Sequence, residues 1–209
     1  MLTRTPSADD RHVQDFCRRI APQSQPCLLE IFPDPRSLPQ ECFPNVARKV
    51  ELEGGHIVFG WAVWEWPGVY IEAEHHAVYE SPEGVWIDNT PSPSRDITHR
   101  LFVRDDSAIY DFDNEAIRRD NQRRALARDP LIQAFFDSAK EYNKAMDRLR
   151  GFGEIQVSGP FARQIQALQM ENARLTMQLA MKYTPRNARC FCGSGRKFKQ
   201  CHGDSALRT

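Results

Sequence analysis

The sequence has no excess of either charge. Its 28 lysines and arginines balance 28 aspartates and glutamates, so bulk electrostatics selects neither nucleic acid nor a membrane as partner. It also lacks long apolar runs: none approaches the ~20 residues needed to cross a bilayer. The opening MLTRTPSADDRHVQDF carries acids and no apolar h-region, so a cytoplasmic protein is the expectation. None of its 11 glycines builds a phosphate-cradling loop ahead of a helix, and no dinucleotide signature occurs. Apolar types make up 41% of 209 residues and charged types 27%. That is the composition of a globular protein with enough chain for a core and appended units.

Cysteine is scarce over most of the chain and concentrated at its end. Cys17, Cys27 and Cys42 are scattered, whereas Cys190, Cys192 and Cys201 cluster. Three scattered thiols would leave one unpaired in an oxidising compartment, so a reducing one fits better.

SADDRHVQDFCRRIA places Ser7 as an N-cap ahead of Val13, Phe16, Cys17 and Ile20 at helical spacing. Repeated prolines then forbid continuous helix until about Glu41. A second helix follows through Phe43, Val46, Ala47 and Val50, stopped by Gly54 and Gly55. From Ile57 the period changes to that of strands: HIVFGWAVWEW, VYIEAEHHAVYE and VWIDNTP are rich in β-branched and aromatic residues between turn signals. ITHRLFVRDD and SAIYDF are expected to add one or two more. Residues 1–112 thus read as an α+β domain, a helix feeding an antiparallel meander.

Residues 113–185 read as helical. NEAIRRDNQRRALAR is expected as a solvated helix, and an amphipathic helix follows from Asp129 to Gly151. A last helix begins at Pro160 and runs to about Tyr183, with Ile165, Asn172 and Leu179 at a and Phe161, Leu168 and Leu175 at d. That pattern fits either a short coiled-coil homodimer or a helix packed on its own domain.

Residues 186–209 hold CFCGSGRKFKQCHG. Cys190 and Cys192 stand one residue apart, Gly193-Ser194-Gly195 turns the chain, and Cys201 and His202 return side by side. Zinc prefers a closed tetrahedron of thiolate and imidazole, and so short a segment needs the metal to fold. Arg186, Arg189, Arg196, Lys197 and Lys199 surround the cluster, a basic face suited to an acidic protein, RNA or phospholipid headgroups, or simply to solvent. The segment resembles the SEC-C motif, the zinc tail of the translocase motor SecA. The resemblance implies zinc held by Cys190, Cys192, Cys201 and His202 and a role in recognition; a closed structural site leaves no position for catalysis.

One further constellation carries chemistry. Cys42 stands at the head of a helix, where the dipole lowers a thiol pKa, and strands bearing His75, His76 and Asp88 follow. HAVYE followed by VWIDNTP resembles the histidine and aspartate strands of the transglutaminase-like branch of the papain-like fold. That resemblance covers roughly residues 40–91 and implies a triad of Cys42 as nucleophile, His76 as base and Asp88 as orienting acid. The hairpin turn decides the geometry. With a four-residue loop and Glu80 opposite Val85, His75 and not His76 shares a face with Asp88; a three- or five-residue loop, or a bulge, restores His76. Gln23, Gln25 and Gln40 are candidate oxyanion donors, and Trp61, Trp64, Trp66 and Trp86 line either a groove or a core.

Two functions follow as expectations. One is a cysteine-dependent hydrolase or acyl-transferase acting on a protein or peptide and recruited by the zinc tail. The other is a non-catalytic zinc-binding adaptor for a chaperone, ribosome or translocation component.

Overall fold

A computed structural model of the chain describes residues 2–92, 94, 96–112, 119–149 and 156–204. It opens with α1 (Arg11–Ile20), β1 (Cys27–Glu30), α2 (Cys42–Glu53), β2 (His56–Trp66), β3 (Tyr70–Glu80), β4 (Trp86–Ile87) and β5 (His99–Arg104). Next come β6 (Gln122–Ala125), α3 (Pro130–Met146) and α4 (Gly159–Tyr183). Every strand pair is antiparallel, in the order β1-β5-β2-β3-β4 with β6 on the edge of β3. A parallel bridge from Ile31 to Asp88, with the Phe32 N–H donating to the Asp88 carbonyl at 2.8 Å, brings β1 back towards β4. The sheet is therefore nearly a barrel.

Alternation along the strands separates its two faces. The outer face presents Trp61, Val63, Ile71, Ala73, Leu101 and Val103 to Val13, Phe16 and Cys17 of α1. Ala77 and Tyr79 meet Cys42, Phe43 and Val46 of α2. Each large apolar side chain so buried contributes about 1.5–3 kcal/mol. The inner face packs Leu29, Val58, Val78 and Phe102, and also carries His76, Asp88 and Arg100, all buried. At the far end of the β2–β3 hairpin, Trp66, Val69 and Tyr70 receive Ile132 of α3 and Leu179 and Ala180 of α4.

Mixed α and antiparallel β structure agrees with the sequence reading, while several elements differ. Helix α1 starts at Arg11, because Ser7 organises a preceding turn by accepting from the Asp9 N–H. A strand, β1, interrupts the proline-rich segment. Of the solvated helix expected over 114–128, Gln122–Ala125 is strand β6: the free edge of β3 pairs it, and Glu72 anchors Arg123 at 2.7 Å. Residues 113–118 lie outside the described residues. SAIYDF is irregular chain after β5, with Tyr110 buried. Of the zipper-like stripe of α4, Ile165, Leu175 and Leu179 are buried and Phe161, Leu168 and Asn172 half-buried, and α4 packs beside α3. No described helix is long and apolar enough to cross a membrane.

Candidate functional site

The C-terminal cluster is built by local turns. Gly193 and Gly195 adopt φ of 77° and 73°, a region costly for side chains with a Cβ, and fold the first cysteine pair back on the second. The Cys190 N–H donates to the Arg196 carbonyl and the Phe198 N–H to the Ala188 carbonyl, both at 2.8 Å. Phe198–Gln200 forms one 3₁₀ turn that delivers Cys201 and His202.

The four ligand atoms lie within 4.8 Å of one another. Cys192 Sγ is 3.6 Å from Cys201 Sγ, and His202 Nδ1 is 3.3 Å from Cys190 Sγ and 3.4 Å from Cys201 Sγ. A tetrahedral ion with metal–sulfur bonds of about 2.3 Å sets sulfurs about 3.8 Å apart and sulfur and nitrogen slightly closer, so the donor set fits such an ion. A disulfide needs about 2.05 Å. The Ser194 hydroxyl and the neighbouring Cys192, Cys190 and His202 groups outweigh burial and hold the Cys201 thiol down to about 6, favouring the thiolate a metal requires. The Arg196 guanidinium donates to the same sulfur at 3.4 Å. The Phe191 ring lies 4.9 Å from the His202 ring at a tilt of 39° and packs against the cluster formed by Trp66, Tyr70 and Leu179, tying the knuckle to the end of the β2–β3 hairpin and to α4.

The second site is a cavity of about 560 Å³ lined by Cys42, Trp64, Glu74, His75, His76 and Arg100 among others. Cys42 is the first residue of α2 and is buried. Just before it, Gln40 has a φ of 64°, a strained conformation for a non-glycine residue, and its side chain also borders the cavity. Gln23 and Gln25 do not line it. Glu80 pairs with Trp86 and Tyr79 with Ile87, so five residues, Ser81 to Val85, form the turn. That register puts His76 and Asp88 on one face. His76 Nε2 lies 3.2 Å from Asp88 Oδ2, whereas Nε2 of His75, on the opposite face, donates to the Ala108 carbonyl at 2.6 Å.

Arg100 complicates this pair. Its Nη1 donates to Asp88 Oδ2 and lies 2.8 Å from His76 Nε2. Burial pulls His76 down, but the Asp88 carboxylate, and negative charge at Cys42, outweigh it and push the imidazole up to about 9. Asp88 is held below its usual range: the His76 charge and hydrogen bond, with Arg100, overcome burial. Asp88 therefore divides its charge between imidazole and guanidinium.

Asn45 is the other residue that sequence reasoning missed. Its side chain accepts from the Leu38 N–H at 3.0 Å and donates to the Leu38 carbonyl at 2.8 Å, clamping the loop that leads to Cys42. It also reaches Thr90 Oγ1 at 3.3 Å, while Asn89 donates to the Asn45 carbonyl. The head of α2 is thus bolted to the Asp88–Thr90 segment. The signal for Arg100 was parity: it shares the inner face with Phe102, an arginine among core residues. Asn45, in the first turn of α2, carried no comparable sign.

A family model for the SEC-C motif, a zinc-binding and protein-interaction module, matches residues 186–204. No curated protein and no solved structure matches the chain. The transglutaminase-like likeness of residues 40–91 is carried by none of these comparisons.

Proposed function

We propose that this chain is a zinc-binding adaptor whose C-terminal knuckle docks the barrel on an acidic surface of a protein partner, such as a chaperone, ribosomal or translocation component. The carrying observation is the closed cluster of Cys190, Cys192, Cys201 and His202, with all four positions of a tetrahedral zinc ion supplied. Arg186, Arg189, Arg196 and Lys197 are exposed around it and suit recognition of acidic side chains. Charge reversal at Arg186 and Arg189 should abolish cross-linking to the partner in cells while bound zinc stays at about one equivalent. Undiminished cross-linking would rule the basic rim out.

A second reading, thiol chemistry at Cys42, is favoured by one observation: Cys42 and the hydrogen-bonded His76–Asp88 pair border the same cavity. In that reading Cys42 attacks a carbonyl, His76 moves the proton and Asp88 orients the ring. The sharing of Asp88 with Arg100 weighs against it, because a guanidinium competes for the charge that stabilises imidazolium. Iodoacetamide at neutral pH decides. A catalytic Cys42 labels well ahead of Cys17, whose burial pushes its thiol up to about 11, and of Cys27, also raised by burial. His76→Ala should remove that advantage; equal, slow labelling of all three would end this reading.

A further inference from the structure

The edge of β3 that faces away from β2 is interrupted beside the cavity. In an antiparallel ladder, alternate residues turn their N–H and C=O groups to the same side. On β3 the odd-numbered residues face this edge: the Val69 carbonyl accepts from the Leu126 N–H at 2.8 Å before the strand, and the Ser81 N–H donates to the Val85 carbonyl at 2.9 Å after it. Strand β6 covers the edge over Tyr70–Ala73 and β4 covers it over Tyr79–Glu80. Residues 74–78 between them have no partner strand here among the described residues. The main-chain N–H and C=O of His75 accordingly find no hydrogen-bond partner among those residues.

Specific bonds hold both neighbouring strands off. Strand β6 begins only at Gln122, because the Asp120 carboxylate accepts from the Asn121 N–H at 2.9 Å and from Asn143 of α3 at 2.7 Å. Strand β4 ends at Ile87, because Asp88 bridges to Ile31 while Asn89 and Thr90 bond to Asn45. The gap left between them is about 17 Å long at the rise of a strand. It opens on the cavity, whose wall includes Glu74, His75 and His76 of β3, Asn121 ahead of β6 and Thr90 beyond β4. Cys42 and Phe43 of α2 close over Ala77, so His75 is the odd residue of the gap that the cavity reaches. An unpaired N–H and C=O on a strand edge form a template for another strand, and an extended polypeptide supplies both complements from one residue.

We propose that the cavity takes an extended peptide segment of a protein ligand as a further strand, antiparallel to β3 and in line with β6, exchanging two main-chain hydrogen bonds with His75. Recognition there is by main chain, with no single side chain required. That the bound segment also passes Cys42 for chemistry rests on the thiol reading; binding itself does not.

Amide exchange of the free chain gives the first test. His75 should exchange at least about ten-fold faster than Glu74 and His76, whose amides face β2. The probe is an acetylated, amidated pentapeptide of alternating valine and threonine, titrated into the full chain carrying Cys42→Ala so that binding is read without thiol chemistry. Binding should slow His75 exchange to the level of its neighbours. N-methylation of the probe, one amide at a time, should weaken binding about ten-fold at alternate positions and leave the intervening ones unchanged, as a strand edge requires. Should Cys42→Ala fail to fold, the reduced wild-type chain takes its place. A His75 amide as slow as its neighbours in the free chain, no binding at millimolar concentration, or an even response to N-methylation at every position would each overturn the proposal. Alternating sensitivity together with a Cys42 thiol that labels slowly would leave the proposal standing and refute the thiol reading. Fast labelling without peptide binding would do the reverse.

Discussion

Asp88→Ala is expected to destabilise the α+β unit by about 3–5 kcal/mol, read by urea unfolding followed through tryptophan fluorescence. Asp88 has 0% exposure and Arg100 4%, so removing the carboxylate strands a guanidinium and an imidazole on the inner face of the sheet without a counter-charge. Asp88→Asn keeps an acceptor and the turn bond from the Thr90 N–H, 3.0 Å from Asp88 Oδ1, and should cost less. The pH dependence supplies a second readout. His76 is raised from 6.5 to about 9, so its contribution is complete below about 6.5 and lost as pH rises through about 9. Asp88 is lowered from 3.8, so its contribution is present above that value and lost as pH falls through the folded-state value. Wild-type stability from this pair should therefore decline on the alkaline side, and Asp88→Ala should abolish that decline. A loss below about 1 kcal/mol, or an alkaline slope that persists, would show that the cluster is not coupled as its geometry implies.

Cys201→Ser should release the metal and unfold residues 186–204 while leaving the barrel folded. The knuckle's apolar cluster consists of Cys190, Phe198 and Cys201 with Met181 and Phe191 at its edge. Two of its three buried members are candidate ligands, so without an ion almost no core remains, and metal binding would supply the folding energy of this segment. Hydrogen exchange reads the result at two amides, those of Cys190 and Phe198, which close the turn on Arg196 and Ala188. Both should lose protection in the variant or on chelation, with about one equivalent of zinc released from wild type. Unchanged protection, or a purified protein without bound metal, would refute the knuckle. Loosening should extend to Phe191 and its contacts with Trp66, Tyr70 and Leu179, and spare the inner cluster of Leu29, Val58, Val78 and Phe102, which shares no residue with the tail cluster.

The cavity site was only partly legible. Strand periodicity identified β2, β3 and β5, and helical spacing identified α2 with Cys42 at its head. Whether His76 or His75 would meet Asp88 turned on one residue of loop length. The turn of Ser81 to Val85 resolves it through two local bonds, from the Ser81 N–H to the Val85 carbonyl and from the Gly84 N–H to the Ser81 carbonyl. Strands β1 and β6 had no pattern to find. CLLE and QRRA are too short and too mixed to signal a strand, and they become strands because β5 and β3 present edges to them.

What the sequence determined by itself is the Cys/His cluster and the strongly periodic elements, α1, α2, β2, β3, β5, α3 and α4. The four ligands fall between Cys190 and His202, and glycine turns alone can gather groups so close along the chain. Local periodicity likewise needs no distant partner to be read. What only the tertiary structure decided is the inner face of the near-barrel. Asp88 comes from β4's end, Arg100 from β5 and His76 and Glu74 from β3, while Cys42 reaches the shared cavity from α2, which packs on the outer face. Their meeting depends on strand order, register and the Ile31–Asp88 bridge, which are set by burial across the whole sheet and not by neighbours in sequence.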